Sequence, residues 1–139
     1  MPKTIHVTWL EKEQFVGVDE TDHAVVISSQ SEGNGTGMNP SSLLLVSLGA
    51  CTAYDVTTIL QKKRQPLTGL EVQVTGTQQD DIPWCFEKIH VHYVVRGRGL
   101  KEKAVADAIE LSEEKYCSVS ATLRGVVELT YDHEIVDEP

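Results

Sequence analysis

Apolar residues dominate residues 39–64, and the rest of the hydrophobic pattern is arranged around this stretch. Asn39 can cap a helix and Pro40 fits the first helical position, so the stretch begins like a helix. It ends before Pro66, because proline pushes the preceding residue out of the helical conformation. Leucine, valine and isoleucine point in nearly every direction, which predicts a helix buried on all sides. Cys51 lies near its centre.

Alternation of apolar and polar residues predicts strands on both sides of this helix. The predicted strands are 4–11, 14–19, 24–29, 68–79, 86–96 and 126–135. The first three have short connections and predict an antiparallel meander, and the next two predict a hairpin. A second, amphipathic helix is predicted over 100–116, followed by a small polar loop over 116–120. The order β-β-β-α-β-β-α-β indicates an α+β fold, and we expect one domain over 1–139.

Charge and composition exclude several classes of partner. The net charge of -9 argues against nucleic acid and against anionic membrane surfaces. The N-terminal stretch lacks an apolar run of signal-peptide length, and no segment approaches the ~20 apolar residues that span a bilayer. We therefore expect a cytoplasmic protein. Since two small sheets cannot cover a helix that is apolar all round, we also expect a homodimer.

The glycine-rich run 31–38 lies between a strand and the central helix, where a phosphate loop would be placed. It has neither a GxGxxG pattern nor the Lys-Ser/Thr ending of a P-loop. A flexible linker is the favoured interpretation.

Three cysteines, Cys51, Cys85 and Cys117, remain for packing or thiol chemistry. An odd count without a secretion signal fits a disulfide framework poorly, and the spacings are not those of a zinc site. If the fold brings Cys51 and Cys117 together, one thiolate can attack an oxidant and the other thiol can resolve the sulfenic acid. We expect Cys85 to be a packing residue or to lie at the surface by chance.

An attacking thiol must ionise, and the sequence around Cys51 does not favour this. The residue lies too deep in its helix for the dipole to help, and an apolar environment raises a thiol pKa. A cation supplied by the tertiary structure is therefore predicted. Arg124 is the first candidate and Arg64 the second; Arg96 and Arg98 are further alternatives.

His90 and His92 share one face of a predicted strand and could ligate a metal. No other histidine or cysteine is placed by the sequence to complete a site, and a solvated strand face is the favoured interpretation. We therefore predict neither a metal nor a cofactor.

Three segments together resemble the OsmC/Ohr family, the osmotically inducible protein C and organic hydroperoxide resistance proteins. They are Asn39-Pro40 with Leu43 and Gly49-Ala50-Cys51, then Gly69-Leu70-Glu71-Val72, then Tyr116-Cys117-Ser118-Val119. The resemblance extends from about residue 38 to 131. Tyr54-Asp55-Val56 and the stretch 113–123 resemble a divergent OsmC-like branch.

The resemblance implies an intertwined homodimer with two sheets around long central helices. It also implies a stress-response peroxidase that reduces organic hydroperoxides, with Cys51 as the peroxidatic cysteine and Cys117 as the resolving one. A dithiol would donate the electrons. Family peroxidases carry a glutamate after Asn-Pro, where this chain has Ser41, and an arginine in the N-terminal strands, where it has none. The alternative is a non-catalytic dimer that binds small molecules or senses redox state.

Overall fold

The computed structural model describes residues 2–139 and has two three-stranded sheets combined with helices. This confirms the α+β class. The elements are β1 His6–Glu11, β2 Gln14–Val18, β3 Ala24–Ser28, α1 Pro40–Lys62, β4 Leu67–Gln78, β5 Phe86–Gly97, α2 Glu102–Leu111, α3 Ser118–Leu123 and β6 Glu128–Asp137. A π-helical turn, Ser112–Tyr116, follows α2 directly. The chain forms two compact units that divide after Leu44.

The first unit contains the predicted antiparallel meander, in the order β1-β2-β3. Its apolar side chains are poorly covered within one chain. Val7 is 62% exposed and Trp9 is 64% exposed. A sheet with this much exposed apolar surface is unusual in water.

The glycine-rich run is folded back on β3, so the prediction of a flexible linker is wrong. The Gly37 N–H donates to the Ser28 hydroxyl at 3.0 Å, and the Gly35 N–H donates to the Ser29 carbonyl at 2.9 Å. At Gly37 a Cβ would lie 2.3 Å from the Val26 carbonyl oxygen. Only glycine allows the backbone to approach the strand this closely.

Helix α1 begins as its sequence predicts. The side-chain oxygen of Asn39 accepts the N–H of Ser42 at 2.8 Å and the hydroxyl of Ser41 at 3.0 Å. This is an N-cap, which satisfies one of the free N–H groups of the first turn. The helix ends at Lys62, and Arg64 follows with a positive φ of 56°.

In the second unit, Leu45–Pro139, α1 packs against the sheet β4-β5-β6. Gly49 allows the helix to approach the sheet closely, because a Cβ there would lie 3.0 Å from a methyl group of Val74. The fully buried side chains of α1 recur every fourth residue: Leu48, Thr52, Val56 and Leu60. They form one stripe, whereas Val46 and Tyr54 remain exposed. Within one chain, α1 is therefore buried along one stripe, and burial on its other sides stays a prediction.

Strands β4 and β5 form the predicted hairpin, and β6 pairs parallel to β5. Alternate residues of β5 are fully buried, among them Val91 and Tyr93. The intervening His90 and His92 lie on the opposite, solvent-facing side of the sheet, in agreement with the alternation in the sequence.

The region after α2 differs from the prediction. In the helix predicted over 100–116, the α-helical part ends at Leu111. Part of the polar loop predicted over 116–120 belongs to α3. Cys117 is the reason, since its sulfur accepts the N–H of Ser120 at 3.4 Å and so caps α3. A cysteine is not among the usual N-cap residues, and this start signal is therefore absent from the pattern.

By length and composition alone, α1 meets the criterion for a membrane span, with 23 residues and a mean hydropathy of 1.7. On that criterion, the expectation that no segment is long and apolar enough is wrong. A single helix of this kind is weak support for a span, because the core helix of a water-soluble protein passes the same test.

Candidate active site

Cys51 and Cys117, distant in sequence, meet at the start of α3. Cys51 lies midway along α1 and is partly exposed, whereas Cys117 is 2% exposed. The side chain of Cys117 interacts with the sulfur of Cys51 and lowers its pKa. The fold thus brings together the two cysteines that the sequence singles out. Cys85 is exposed, on the approach to β5.

Neutral donors surround the sulfur of Cys51. Burial raises the pKa of Cys51, but hydrogen bonds from the Val119 N–H, the Cys117 thiol, and the hydroxyl and N–H of Ser118 outweigh it. The Ser118 oxygen lies 3.9 Å from the sulfur. The pKa of Cys51 is therefore lowered, because these donors favour the thiolate.

The pKa of Cys117 shifts the other way. Burial raises it most; the N–H and hydroxyl of Ser120 oppose this effect, and the neighbouring Cys51 raises it further. A thiolate at Cys51 and a thiol at Cys117 are mutually stabilising, since the thiol donates to the thiolate. The pair is chemically unequal, with one sulfur suited to attack and one that keeps its proton.

The two arginines that we expected near Cys51 have other positions. The Arg124 guanidinium donates to the carbonyl oxygen of Glu113 and lies 3.5 Å from the Glu114 carboxylate. Arg64 lies beyond the end of α1, about 20 Å along the helix axis from Cys51. The hydrogen bonds that lower the Cys51 pKa come from neutral groups, and the role of either arginine stays a prediction.

A buried carboxyl group, Glu113, lies in the π-helical turn before Cys117 and is 1% exposed. Its side chain accepts hydrogen bonds from the Tyr93 hydroxyl, from Ser120 at 3.1 Å and from Thr52 at 3.5 Å. These donors satisfy both carboxyl oxygens, which a buried carboxyl group requires. Glu113 thereby joins the π-helical turn to α1, β5 and α3.

The same network continues through a serine to Asp55. The Thr52 hydroxyl lies 2.8 Å from that of Ser112, and Ser112 donates to the Asp55 carboxylate at 2.9 Å. Burial and then the bond to Glu113 raise the pKa of Tyr93, so its phenol stays protonated. Thr52 follows Cys51 directly, and the network therefore fixes the turn of α1 that carries the reactive sulfur.

Sequence reasoning missed Glu113 and Ser118. The signal for Glu113 was present, because it continues the i, i+3, i+4, i+7, i+8 spacing of buried residues in and after α2. Those residues are Val105, Ala108, Ile109, Ser112 and Glu113. A charged residue on the apolar face of a helix indicates a buried, paired carboxyl group. Ser118 had no such signal, since its contact depends on the packing of α3 near α1.

A cavity of about 490 Å³ lies further along α1, toward its C-terminal end. Its apolar wall includes Ile59, Leu111 and the ring of Tyr54, with Tyr116 from the turn before Cys117. Lys62 and Lys63, also among its lining residues, add positive charge. A cavity of this size and composition accommodates a small organic molecule.

Comparison with known proteins places the chain in a family. The family of OsmC-like proteins matches residues 33–132. Protein YhfA of Escherichia coli K12 is 38% identical over 130 residues, which cover 94% of this chain and 96% of YhfA. A hypothetical protein of Aquifex aeolicus has a solved structure that is 30% identical, with a TM-score of 0.89 over 100% of this chain and 99% of its own.

The fold likeness extends to more distant proteins. The organic hydroperoxide resistance protein OhrB of Bacillus subtilis aligns with a TM-score of 0.63 over 94% of this chain and 98% of its own, at 20% identity. That likeness concerns the fold alone, whereas the family match covers most of the chain. On these grounds, this chain belongs to the family of OsmC-like proteins.

Proposed function

We propose that this protein is a thiol peroxidase that reduces organic hydroperoxides through Cys51 and Cys117. The observation that carries the proposal is the position of Cys51 beside the start of α3, where its sulfur lies 3.9 Å from the Ser118 hydroxyl and interacts with Cys117, which lowers the Cys51 pKa. A low-pKa, partly exposed cysteine next to a second thiol is the arrangement that a two-cysteine redox cycle requires.

In the first step, the Cys51 thiolate attacks the terminal oxygen of the hydroperoxide. An S–O bond forms while the O–O bond breaks, and the alkoxide leaves as an alcohol after it takes a proton from solvent. Cys51 is oxidised to a sulfenic acid and the hydroperoxide is reduced. The N–H groups of Ser118 and Val119, which stabilise the thiolate, remain in place to orient the sulfur.

In the second step, the sulfur of Cys117 attacks the sulfenic sulfur of Cys51. A disulfide forms, and hydroxide leaves with the Cys117 proton as water. An external dithiol then reduces the disulfide by exchange, becomes a disulfide itself and returns both protons. The Cys117 proton is retained until this step because burial raises the pKa of its thiol.

The cavity beside α1 supports the proposed substrate class. Its apolar wall favours a hydroperoxide with a hydrocarbon body over hydrogen peroxide, since apolar contacts contribute binding only when a hydrocarbon is present. Among its lining residues, Tyr54 and Asp55 lie one turn beyond Cys51 on α1.

The working form that we propose is a cytoplasmic homodimer. Val46 and Tyr54 leave an apolar surface of α1 exposed, and Trp9 does the same on β1. A second copy that covers these surfaces would give α1 the all-round burial that its sequence predicts. OsmC-like proteins are typically dimeric, which supports this assignment. Arg124 remains the first proposed cationic partner of Cys51. Arg64, about 20 Å from Cys51 along the helix in the same chain, would have to act from a second chain.

The test is turnover of cumene hydroperoxide with dithiothreitol as the electron donor. We expect wild-type protein to turn over and Cys51→Ser to be inactive. With one equivalent of hydroperoxide and no dithiothreitol, Cys117→Ser should accumulate a Cys51 sulfenic acid that dimedone traps. Cys85→Ser is the matched control and should retain wild-type activity. Activity in Cys51→Ser would overturn the proposal.

The same experiment decides the alternative of a non-catalytic redox sensor. A sensor would form the Cys51–Cys117 disulfide once per chain, but the rate of alcohol production would fall to zero after that stoichiometric burst even with excess dithiothreitol. Replacing cumene hydroperoxide with hydrogen peroxide tests the substrate class. Equal kcat/KM values for the two oxidants would exclude a role for the apolar cavity.

A further inference from the structure

A cluster of two histidines and a carboxylate lies on the solvent face of the second unit's sheet, away from the thiols. His90 and His92 come from β5, and Asp132 comes from β6, where it pairs in register with His92. The buried residues of β5, including Tyr93, point to the opposite face. The cluster is therefore separate from the network that contains the cysteines.

One oxygen of Asp132 lies within hydrogen-bond distance of both imidazoles. Its Oδ1 lies 2.7 Å from His90 Nε2 and 2.8 Å from His92 Nδ1. These three atoms all lie within 4.8 Å of one another. Three ligands of a tetrahedral Zn²⁺ at 2.0–2.2 Å lie about 3.3 Å apart. An ion at this place would replace the hydrogens that the imidazoles share with Asp132.

The ring nitrogen of each histidine that faces away from the cluster also has a partner. His90 Nδ1 lies 2.6 Å from the Thr130 hydroxyl, and His92 Nε2 lies 3.7 Å from a Glu134 oxygen. An imidazole that binds metal through one nitrogen must carry its hydrogen on the other, and a hydrogen bond such as that between His90 and Thr130 favours that tautomer.

We propose that His90, His92 and Asp132 form a divalent metal site, with Zn²⁺ as the preferred ion and Thr130 and Glu134 as supporting residues. Two imidazoles and one carboxylate match the ligand preferences of Zn²⁺, and hard cations such as Mg²⁺ favour all-oxygen sets. The ion would link β5 to β6 across their parallel pairing. Three protein ligands leave one position for water, and the exposed Asp132 side chain gives the ion a path of entry.

Isothermal titration of the whole chain with Zn²⁺ tests the site. We expect one ion per chain, and a Kd at least about tenfold higher in each of His90→Gln, His92→Gln and Asp132→Asn. Thr130→Val should weaken binding less than these do. Zn²⁺ should also raise the Tm of the wild-type protein but not that of Asp132→Asn, because a bound ion stabilises the folded state.

His133→Gln is the matched control. His133 also pairs with a carboxylate, that of Glu102 at 2.7 Å, but it lies outside the cluster and should bind Zn²⁺ like the wild type. Co²⁺ separates this site from the thiols, since sulfur ligation produces an intense charge-transfer band that a His/Asp site lacks. The proposal is overturned by unchanged binding in Asp132→Asn, by equal losses in His133→Gln, or by a sulfur band. None of these results bears on peroxidase activity.

Discussion

The Cys117 thiol lies beside the Cys51 sulfur as a neutral donor, and the pKa values of the two groups shift in opposite directions. The donor stabilises the Cys51 thiolate, while that thiolate makes loss of the Cys117 proton harder. The division of labour between the two cysteines therefore follows from their contact and from their unequal burial.

The first prediction concerns the pH dependence of alkylation. Cys51 should react with iodoacetamide at a half-maximal pH below the ordinary thiol value of about 8.5, because its pKa is lowered. Cys117 should require a pH above that value, because burial raises its pKa. Mass spectrometry of the alkylated peptides measures both, with exposed Cys85 as an internal reference. Identical pH profiles for Cys51 and Cys117 would contradict the assignment.

The second prediction concerns Ser118, whose hydroxyl contacts the Cys51 sulfur at 3.9 Å. Ser118→Ala removes one weak donor from the thiolate and should raise the Cys51 pKa, slowing its alkylation at pH 7 about two- to fourfold. Thr122→Val is the control, since Thr122 lies in the same helix and bonds only to the Ser118 carbonyl oxygen, at 2.7 Å. Equal rates in wild type and Ser118→Ala would exclude the hydroxyl as a donor.

The third prediction concerns the buried carboxyl group. Glu113→Ala should lower the free energy of unfolding by about 3 kcal/mol, because the hydroxyls of Tyr93 and Ser120 lose their acceptor. Urea unfolding measures the change. The exposed neighbour Glu114 pairs with Arg124, and Glu114→Ala should cost at most about 1 kcal/mol.

A double mutant sharpens this test. Tyr93→Phe combined with Glu113→Ala should cost less than the sum of the single changes, since the donor and its acceptor are removed together. The network would contribute no more than ordinary surface contacts if the losses in unfolding free energy were strictly additive. Equal losses for Glu113→Ala and Glu114→Ala would show the same.

The fourth prediction concerns the proposed dimer. Val46→Glu and Tyr54→Glu place a charge on the exposed apolar surface of α1, which is 47% exposed at Val46 and 73% exposed at Tyr54. In sedimentation equilibrium, each should reduce the mass from that of two chains to that of one chain of 15.4 kDa. Gln61→Glu changes an exposed polar position of the same helix and should leave the dimer intact. If the wild type and all three variants are dimers, the interface lies elsewhere.

Local signals in the sequence accounted for much of the fold. The Asn39 cap and Pro40 marked the start of α1, and alternation located every strand to within a few residues. Signals of this kind depend on neighbours in the chain, so they can be read without the tertiary structure. They failed at α3, whose cap is a cysteine sulfur, and in the glycine-rich run, where close backbone packing orders a segment that looks flexible.

The sequence by itself determined the α+β class, the central helix and which two cysteines are candidates for thiol chemistry. Only the tertiary structure decided that neutral groups at the start of α3, such as Ser118, donate to the Cys51 sulfur. It also decided that Asp132 joins His90 and His92, through a parallel pairing of β5 with β6. The reason is that a hydrogen bond or a ligand set depends on distances of a few ångströms between segments distant in the chain, and no local pattern encodes those distances.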